Sequence, residues 1–281
     1  MLGIFALSAA LKETELEKYQ AGLKLLDDNA IQYQKASNLE LKEEIFSGAE
    51  YFSCGTLEQR LKGLKELKAD QFLSLKGGYG VQHCLEDLDT SVFSNKAVFG
   101  YSDLTALFLK LQKDSSIKLF HSPMLTELSG LSKEEQTSFF GFLKEDSCLK
   151  KKLLSLTPGL EEQLKSQNSI FLKEPSYLWG GNLTLLLSMN VLPIVKEGYK
   201  NILFIEDCFE EAYKVERMLY TALNQGLFAD IDELWLGESK EAVFNIGLLE
   251  NLAQKYNFNL LTGLPFGHSK KFTLPIYHYY N

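Results

Sequence analysis

A serine hydroxyl is a useful nucleophile only when a base takes its proton and hydrogen-bond donors receive the charge that builds on the carbonyl it attacks. Ser102 is placed for that task. It lies in Phe99-Gly100-Tyr101-Ser102-Asp103, after the apolar run Ala97-Val98-Phe99 and ahead of Leu104, Leu107, Phe108 and Leu111 at helical spacing. At the crest of such a strand-to-helix turn the hydroxyl stands clear of the backbone, with the next amide and the helix N-terminus facing any developing negative charge. Leu104 stands where the usual Gly-x-Ser-x-Gly elbow has its second glycine. Serine is also a favoured helix cap, so the motif by itself leaves a capping role open.

Imidazole suits the base because its pKa lies near neutrality. Of the four histidines, His83 falls in a helical stretch, His121 follows Leu119-Phe120, and His278 sits among the last residues, where fraying is expected. His268 alone combines a preceding apolar strand with a glycine-bracketed turn, Gly263-Leu264-Pro265-Phe266-Gly267-His268. A base of this kind needs a third group to fix its tautomer. Glu206 ends the apolar run Ile202-Leu203-Phe204-Ile205; Asp207, Glu210 and Glu211 are near enough in sequence to compete for the role. The glycines of Lys76-Gly77-Gly78-Tyr79-Gly80 let backbone amides approach a ligand. That loop lacks Gly-x-Gly-x-x-Gly spacing and a Walker ending, so an oxyanion role fits it better than nucleotide binding.

These segments share one property, an apolar strand that ends in small or polar residues, and the carboxyl ends of strands are where open α/β sheets collect their ligand groups. Gly3–Leu7, Phe72–Leu75, Asn201–Ile205, Asp232–Leu236 and Phe258–Leu261 read as strands. Glu13–Leu26, a stretch carrying Leu57, Leu61, Leu64 and Leu67, and one carrying Ala212, Val215, Met218, Leu219 and Ala222 read as helices. Alternation of this kind implies parallel sheets covered by helices. The pattern divides into an N-terminal α/β domain over 1–125, a helical connecting region over 126–164 and a C-terminal β/α domain over 165–281.

The 281 residues are 45% hydrophobic and 23% charged, and 29 basic against 37 acidic side chains leave a formal charge of −8. That balance repels nucleic acid and anionic membrane surfaces. No run is long enough to span a bilayer, and Met1–Leu11 is apolar with no Lys or Arg ahead of it; its first half reads as the first strand rather than a signal peptide. Cys54, Cys84, Cys148 and Cys208 show neither metal-ligand nor disulfide-framework spacing, which suggests reduced thiols in the cytoplasm.

Six stretches in order resemble the LD-carboxypeptidases, serine peptidases that include the microcin-resistance enzymes. They are Gly77-Gly78-Tyr79-Gly80-Val81-Gln82, Gly100-Tyr101-Ser102-Asp103-Leu104-Thr105, His121-Ser122-Pro123-Met124-Leu125, Gly180-Gly181-Asn182-Leu183-Thr184, Phe204-Ile205-Glu206-Asp207 and Gly263-Leu264-Pro265-Phe266-Gly267-His268. The resemblance implies a flavodoxin-like N-terminal domain and a swivelling C-terminal domain. It implies a catalytic triad of Ser102, Glu206 and His268, oxyanion donors at the amides of Gly78 and Asp103, and Gly77 and Asn182 in the substrate-binding set. It further implies release of a terminal D-amino acid from muropeptide-like substrates in the cytoplasm, no metal or other cofactor, and a homodimer. A microcin-type hydrolase of aminoacyl-nucleotide-like compounds, with Trp179 stacked on the base, and a catalytically inactive binding homologue are the alternatives. Family members usually carry Arg where this chain has Lys76, which keeps the charge but loses the bidentate fork.

Overall fold

The computed structural model describes residues 1–46, 51–144, 149–191, 194–239 and 242–281. It divides into two compact units, Met1–Ser132 and Lys133–Asn281. Cys148 and part of the expected connecting region lie outside the described residues.

In the first unit, β1 (Leu2–Phe5) is buried at every position, as a strand covered on both faces must be. It pairs in parallel with β2 (Tyr33–Lys35) on one side and β5 (Gln71–Ser74) on the other, and β6 (Ala97–Gly100) and β7 (Lys118–His121) continue the sheet. Between β2 and β5 the chain makes an antiparallel hairpin of β3 (Glu43–Phe46) and β4 (Tyr51–Ser53). Counting only parallel strands, the spatial order is 2-1-3-4-5, the flavodoxin-like arrangement, with its switch point between the first and third strands. The segments that follow those two strands, Ala6–Ala10 and Lys76–Gly80, therefore flank the crevice in which such sheets hold ligands.

Helices α1 (Leu16–Asp28), α2 (Leu57–Lys65), α3 (Val81–Cys84) and α4 (Leu104–Leu111) join these strands. The helix expected from Glu13 opens as a 3-10 turn over Glu13–Glu15 before α1 begins. A capping box starts α2: the Gln59 amide donates to Thr56 Oγ1 at 3.2 Å and the Thr56 amide to Gln59 Oε1 at 2.9 Å. In α4 every residue but Lys110 is buried, so this helix is held from all sides and gives a fixed support to the turn before it.

The second unit begins with α5 (Lys133–Lys144), α6 (Leu149–Leu156) and α7 (Leu160–Ser166) and continues through β8 (Ser176–Asn182), α8 (Leu183–Ser188), β9 (Lys200–Glu206), α9 (Ala212–Asn224), β10 (Glu233–Gly237), α10 (Ile246–Tyr256) and β11 (Asn259–Leu264). Two short strands, β12 (Leu274–Ile276) and β13 (His278–Tyr280), come last. The sheet order is β11-β10-β9-β8-β13, parallel but for β13, which runs antiparallel to β8. His278, expected to fray, is instead paired with Leu178. Trp179 and Trp235 are fully buried, and their indole nitrogens donate to Asn201 Oδ1 at 2.5 Å and Glu233 Oε1 at 2.6 Å. A Trp179 ring so placed offers no face to a nucleobase.

Strand β8 went unread in the sequence because Gly180-Gly181 resembles a turn. Gly180 lies opposite Phe204 with φ +132, and a Cβ there would fall 1.9 Å from the Phe204 carbonyl oxygen. Both the backbone conformation and the space exclude a side chain. Gly180→Ala should cost about 3 kcal/mol or more, a loss read directly as a fall in the denaturation midpoint.

Candidate active site

Ser102 holds φ +60, a left-handed conformation that costs a non-glycine residue about 1–2 kcal/mol. The N-cap of α4 is Asp103, not Ser102, and the Thr105 amide donates to the Ser102 carbonyl at 2.9 Å. Helix capping therefore does not account for the serine. A Cβ on Gly77 would stand 3.2 Å from both Cβ and Oγ of Ser102, so the glycine loop lies directly against the hydroxyl. Gly78 has φ +116, and a Cβ there would meet Ala9 Cβ at 2.6 Å, so only glycine fits.

The side chain of Asp103 points into the protein and holds that loop. Its Oδ2 accepts from Ser8 Oγ at 2.6 Å and from the Val81 amide at 3.0 Å. From α2, the buried Arg60 guanidinium donates through Nη1 to the Leu7 carbonyl at 2.7 Å and to the Gly80 carbonyl at 2.9 Å. The loop is thus pinned at two successive residues, Gly80 and Val81. Burial raises the Asp103 carboxyl to about 6, against the Ser8 and Val81 hydrogen bonds and the Arg60 charge, which hold it down.

The other half of the expected triad belongs to the second unit. Glu206, the last residue of β9, has no exposed surface, and its Oε2 lies 2.5 Å from His268 Nδ1. Its other oxygen accepts a long 3.4 Å contact from Asn182 Nδ2. Asp207 does not compete for the imidazole, because its carboxylate is fully engaged elsewhere. Its Oδ1 accepts from Asn182 Nδ2 at 3.1 Å and from the Cys208 amide at 2.8 Å, while Oδ2 accepts from the Thr184 amide at 2.9 Å and the Thr184 hydroxyl at 2.8 Å. Asn182 Oδ1 caps α8 through the Leu185 amide at 3.2 Å, so this side chain, expected in the substrate-binding set, also bridges the two acids and the start of α8. Glu211 is paired with Lys214 at 3.0 Å.

With Nδ1 committed to Glu206, the proton-accepting nitrogen of His268 is Nε2. Burial alone would lower the pKa of His268. The Glu206 carboxylate and the hydrogen bonds with Cys208 and Glu206 override it and raise the pKa well above the ordinary 6.5. Among the described residues no group of three or more His, Cys, Asp or Glu is arranged to hold a metal ion.

Residues 2–122 match the family model of the LD-carboxypeptidase N-terminal domain, and residues 176–279 that of the LD-carboxypeptidase C-terminal domain. The chain belongs to the LD-carboxypeptidase family. It is 28% identical over 210 residues to a "Probable murein peptide carboxypeptidase" of Bacillus subtilis, a match that spans 68% of this chain and 60% of that relative. A candidate carboxypeptidase of Rickettsia conorii is 30% identical over 246 residues, 83% of this chain and 75% of the relative. Among solved structures, the muramoyltetrapeptide carboxypeptidase of Oxalobacter formigenes superposes with TM-score 0.70 at 23% identity, covering 98% of this chain and 92% of that one. MccF in complex with glutamyl sulfamoyl guanosine gives 0.75 at 19%, covering 98% and 90%. These two similarities speak to fold.

In this member of the family, Lys76 stands where an arginine was expected and turns inward. Its ammonium lies 2.5 Å from Glu15 Oε2 and 3.4 Å from the Ala10 carbonyl. Ser8, Arg60 and Cys208 were not picked out from sequence. Ser8 follows an apolar strand, the same signal that marked the other site segments, whereas nothing in the helical pattern around Arg60 marks it as more than a surface charge.

Two pH-dependent outcomes follow from these carboxylates. Asp103 is more basic folded than at its ordinary 3.8, so the folded protein holds that proton more tightly than the unfolded chain. Its contribution to stability is complete below about pH 4 and is lost as pH rises through about 6. Asp103→Asn keeps an acceptor for Ser8 and Val81 but cannot titrate. The variant's stability relative to wild type should therefore improve by about 2–3 kcal/mol between pH 4 and 7, measured by denaturant unfolding across that range. Glu206→Gln removes the charge that raises His268, so the midpoint of the kcat/KM–pH profile should move down towards the ordinary imidazole value while kcat falls by about 10⁴.

Proposed function

We propose that this chain is a serine carboxypeptidase that cleaves an L,D-peptide bond and releases the terminal D-amino acid, D-alanine, from murein tetrapeptides in the cytoplasm, acting as a homodimer. The observation that carries this reading is the buried Glu206–His268 pair, with Asp207 bonded away from it. An imidazole so oriented is able to take a proton from a hydroxyl, and Ser102 is the strained serine against a glycine loop.

Ser102 Oγ attacks the carbonyl before the D-residue as His268 Nε2 takes its proton. The amides of Gly78 and Asp103 receive the oxyanion, each worth about 3 kcal/mol in comparable sites. Collapse of the tetrahedral intermediate breaks the C–N bond, and the imidazolium gives its proton to the leaving amine. Water, deprotonated by His268, then hydrolyses the Ser102 ester. Glu206 stays ionised throughout and stabilises the imidazolium. The inward Asp103 carboxylate holds the loop that carries one oxyanion donor, while its own amide is the other, so one residue sets their spacing. Among the described residues no helix is long and apolar enough to cross a membrane.

Release of D-alanine from a defined tetrapeptide tests the reading. Ser102→Ala should lower kcat by about 10⁶, leaving only the residue that binding and oxyanion stabilisation supply; a variant with undiminished release would end it. An aminoacyl-sulfamoyl adenosine run alongside should be cleaved poorly, because Trp179 is buried in the sheet and cannot stack on the base.

A further inference from the structure

Nine non-glycine residues among those described hold a clearly positive φ. Asn95, Asn168, Asn190, Asp230 and Asn257 are of the types that enter this region most readily. Ala30 is small and closes the turn after α1, its amide donating to the Asp27 carbonyl at 2.9 Å. Ser102 is the nucleophile. Tyr277 donates its hydroxyl to the Gly180 carbonyl at 2.9 Å, so its side chain is part of the fold. Phe209, at φ +58, is different: the residue is 75% exposed.

Phe209 therefore combines two unfavourable features, a bulky residue in left-handed backbone and a large apolar ring left in water. Burial offsets neither. Strain of this kind persists where the surroundings hold it for a purpose, and its location says what the purpose is. Phe209 follows Cys208, whose thiol hydrogen-bonds with His268, and it stands three residues beyond Glu206. In the proposed reaction His268 delivers a proton to the leaving amine, so groups that flank the imidazole flank the departing residue.

We propose that Phe209 is a specificity-determining residue whose ring is the platform for the side chain of the released D-amino acid, admitting large apolar D-residues at least as well as D-alanine. This rests on the L,D-carboxypeptidase reading above. An exposed apolar ring offers surface that suits D-leucine or D-methionine and adds little for the single methyl of D-alanine.

The test compares two peptides identical up to the L-residue and ending in D-alanine or D-leucine, turned over by the full chain and by Phe209→Gly and Phe209→Leu. Wild type should release D-leucine with a kcat/KM no lower than that for D-alanine. Phe209→Gly should raise KM for the D-leucine peptide about tenfold and leave KM for the D-alanine peptide within about twofold, with kcat held for both. Phe209→Leu, which keeps apolar surface, should recover most of the loss. The Tm of Phe209→Gly should hold or rise, because glycine relieves the strained backbone. An unchanged ratio between the peptides overturns the proposal, as does a lowered Tm, which would mean that the ring supports the fold. A shift from dimer to monomer with the ratio unchanged overturns it too, by assigning the ring to an interface. Wild type that releases neither residue sinks the carboxypeptidase reading and this inference together; wild type that releases D-alanine with an unaltered Phe209→Gly profile sinks this inference alone.

Discussion

A carboxylate without water must be held by other charges and donors, and for Glu206 the imidazole of His268 is one of them. Its surface is wholly covered; its Oε2 lies 2.5 Å from His268 Nδ1, and Asn182 makes a longer contact to the other oxygen. The arrangement works in both directions. The imidazole makes burial of the acid tolerable, and the acid raises the basicity of the imidazole against the desolvation that would lower it. Placement of that acid depends in turn on strand geometry. Residue 206 ends β9 facing one way, and the next residue faces the other, where Thr184, Asn182 and the Cys208 amide satisfy it.

The N-terminal unit applies the same rule to Asp103. Its carboxylate is sheltered by Ser8, the Val81 amide and the Arg60 charge, and each of those contacts also fixes a piece of the crevice. Arg60 reaches the ends of two different segments, one after β1 and one in the glycine loop. What makes the acid bearable inside the protein is also what makes the loop rigid. Electrostatic necessity and preorganisation here are one set of bonds.

Most of this could be read from residue types. The apolar runs of β1, β5, β6, β9, β10 and β11 announce buried parallel strands, and α9 shows its inner face at Val215, Leu219 and Ala222. The elements that escaped have weak local signals. β2 is three residues of Tyr-Gln-Lys, β3 is half acidic and mostly exposed, β8 carries two glycines, and β13 is ordered by its pairing with Tyr177 and Leu178 rather than by its own composition. At the site, spacing could narrow the third member only to a group of neighbouring acids. Residue types alone left that choice open; the resemblance named Glu206, and the bonds that Thr184 and Asn182 make to Asp207 are information about folding at a distance. The inward turn of Lys76 to Glu15 is of the same kind.

Both tryptophans of the chain, Trp179 and Trp235, belong to the C-terminal unit, and each is sealed from water with its N–H already bonded. Intrinsic indole emission is therefore blue-shifted in the native protein and reports on that unit alone. If the two units melt separately, a fluorescence trace follows the half that carries the base and is blind to the half that carries the serine, which only tyrosine signals or backbone circular dichroism would register.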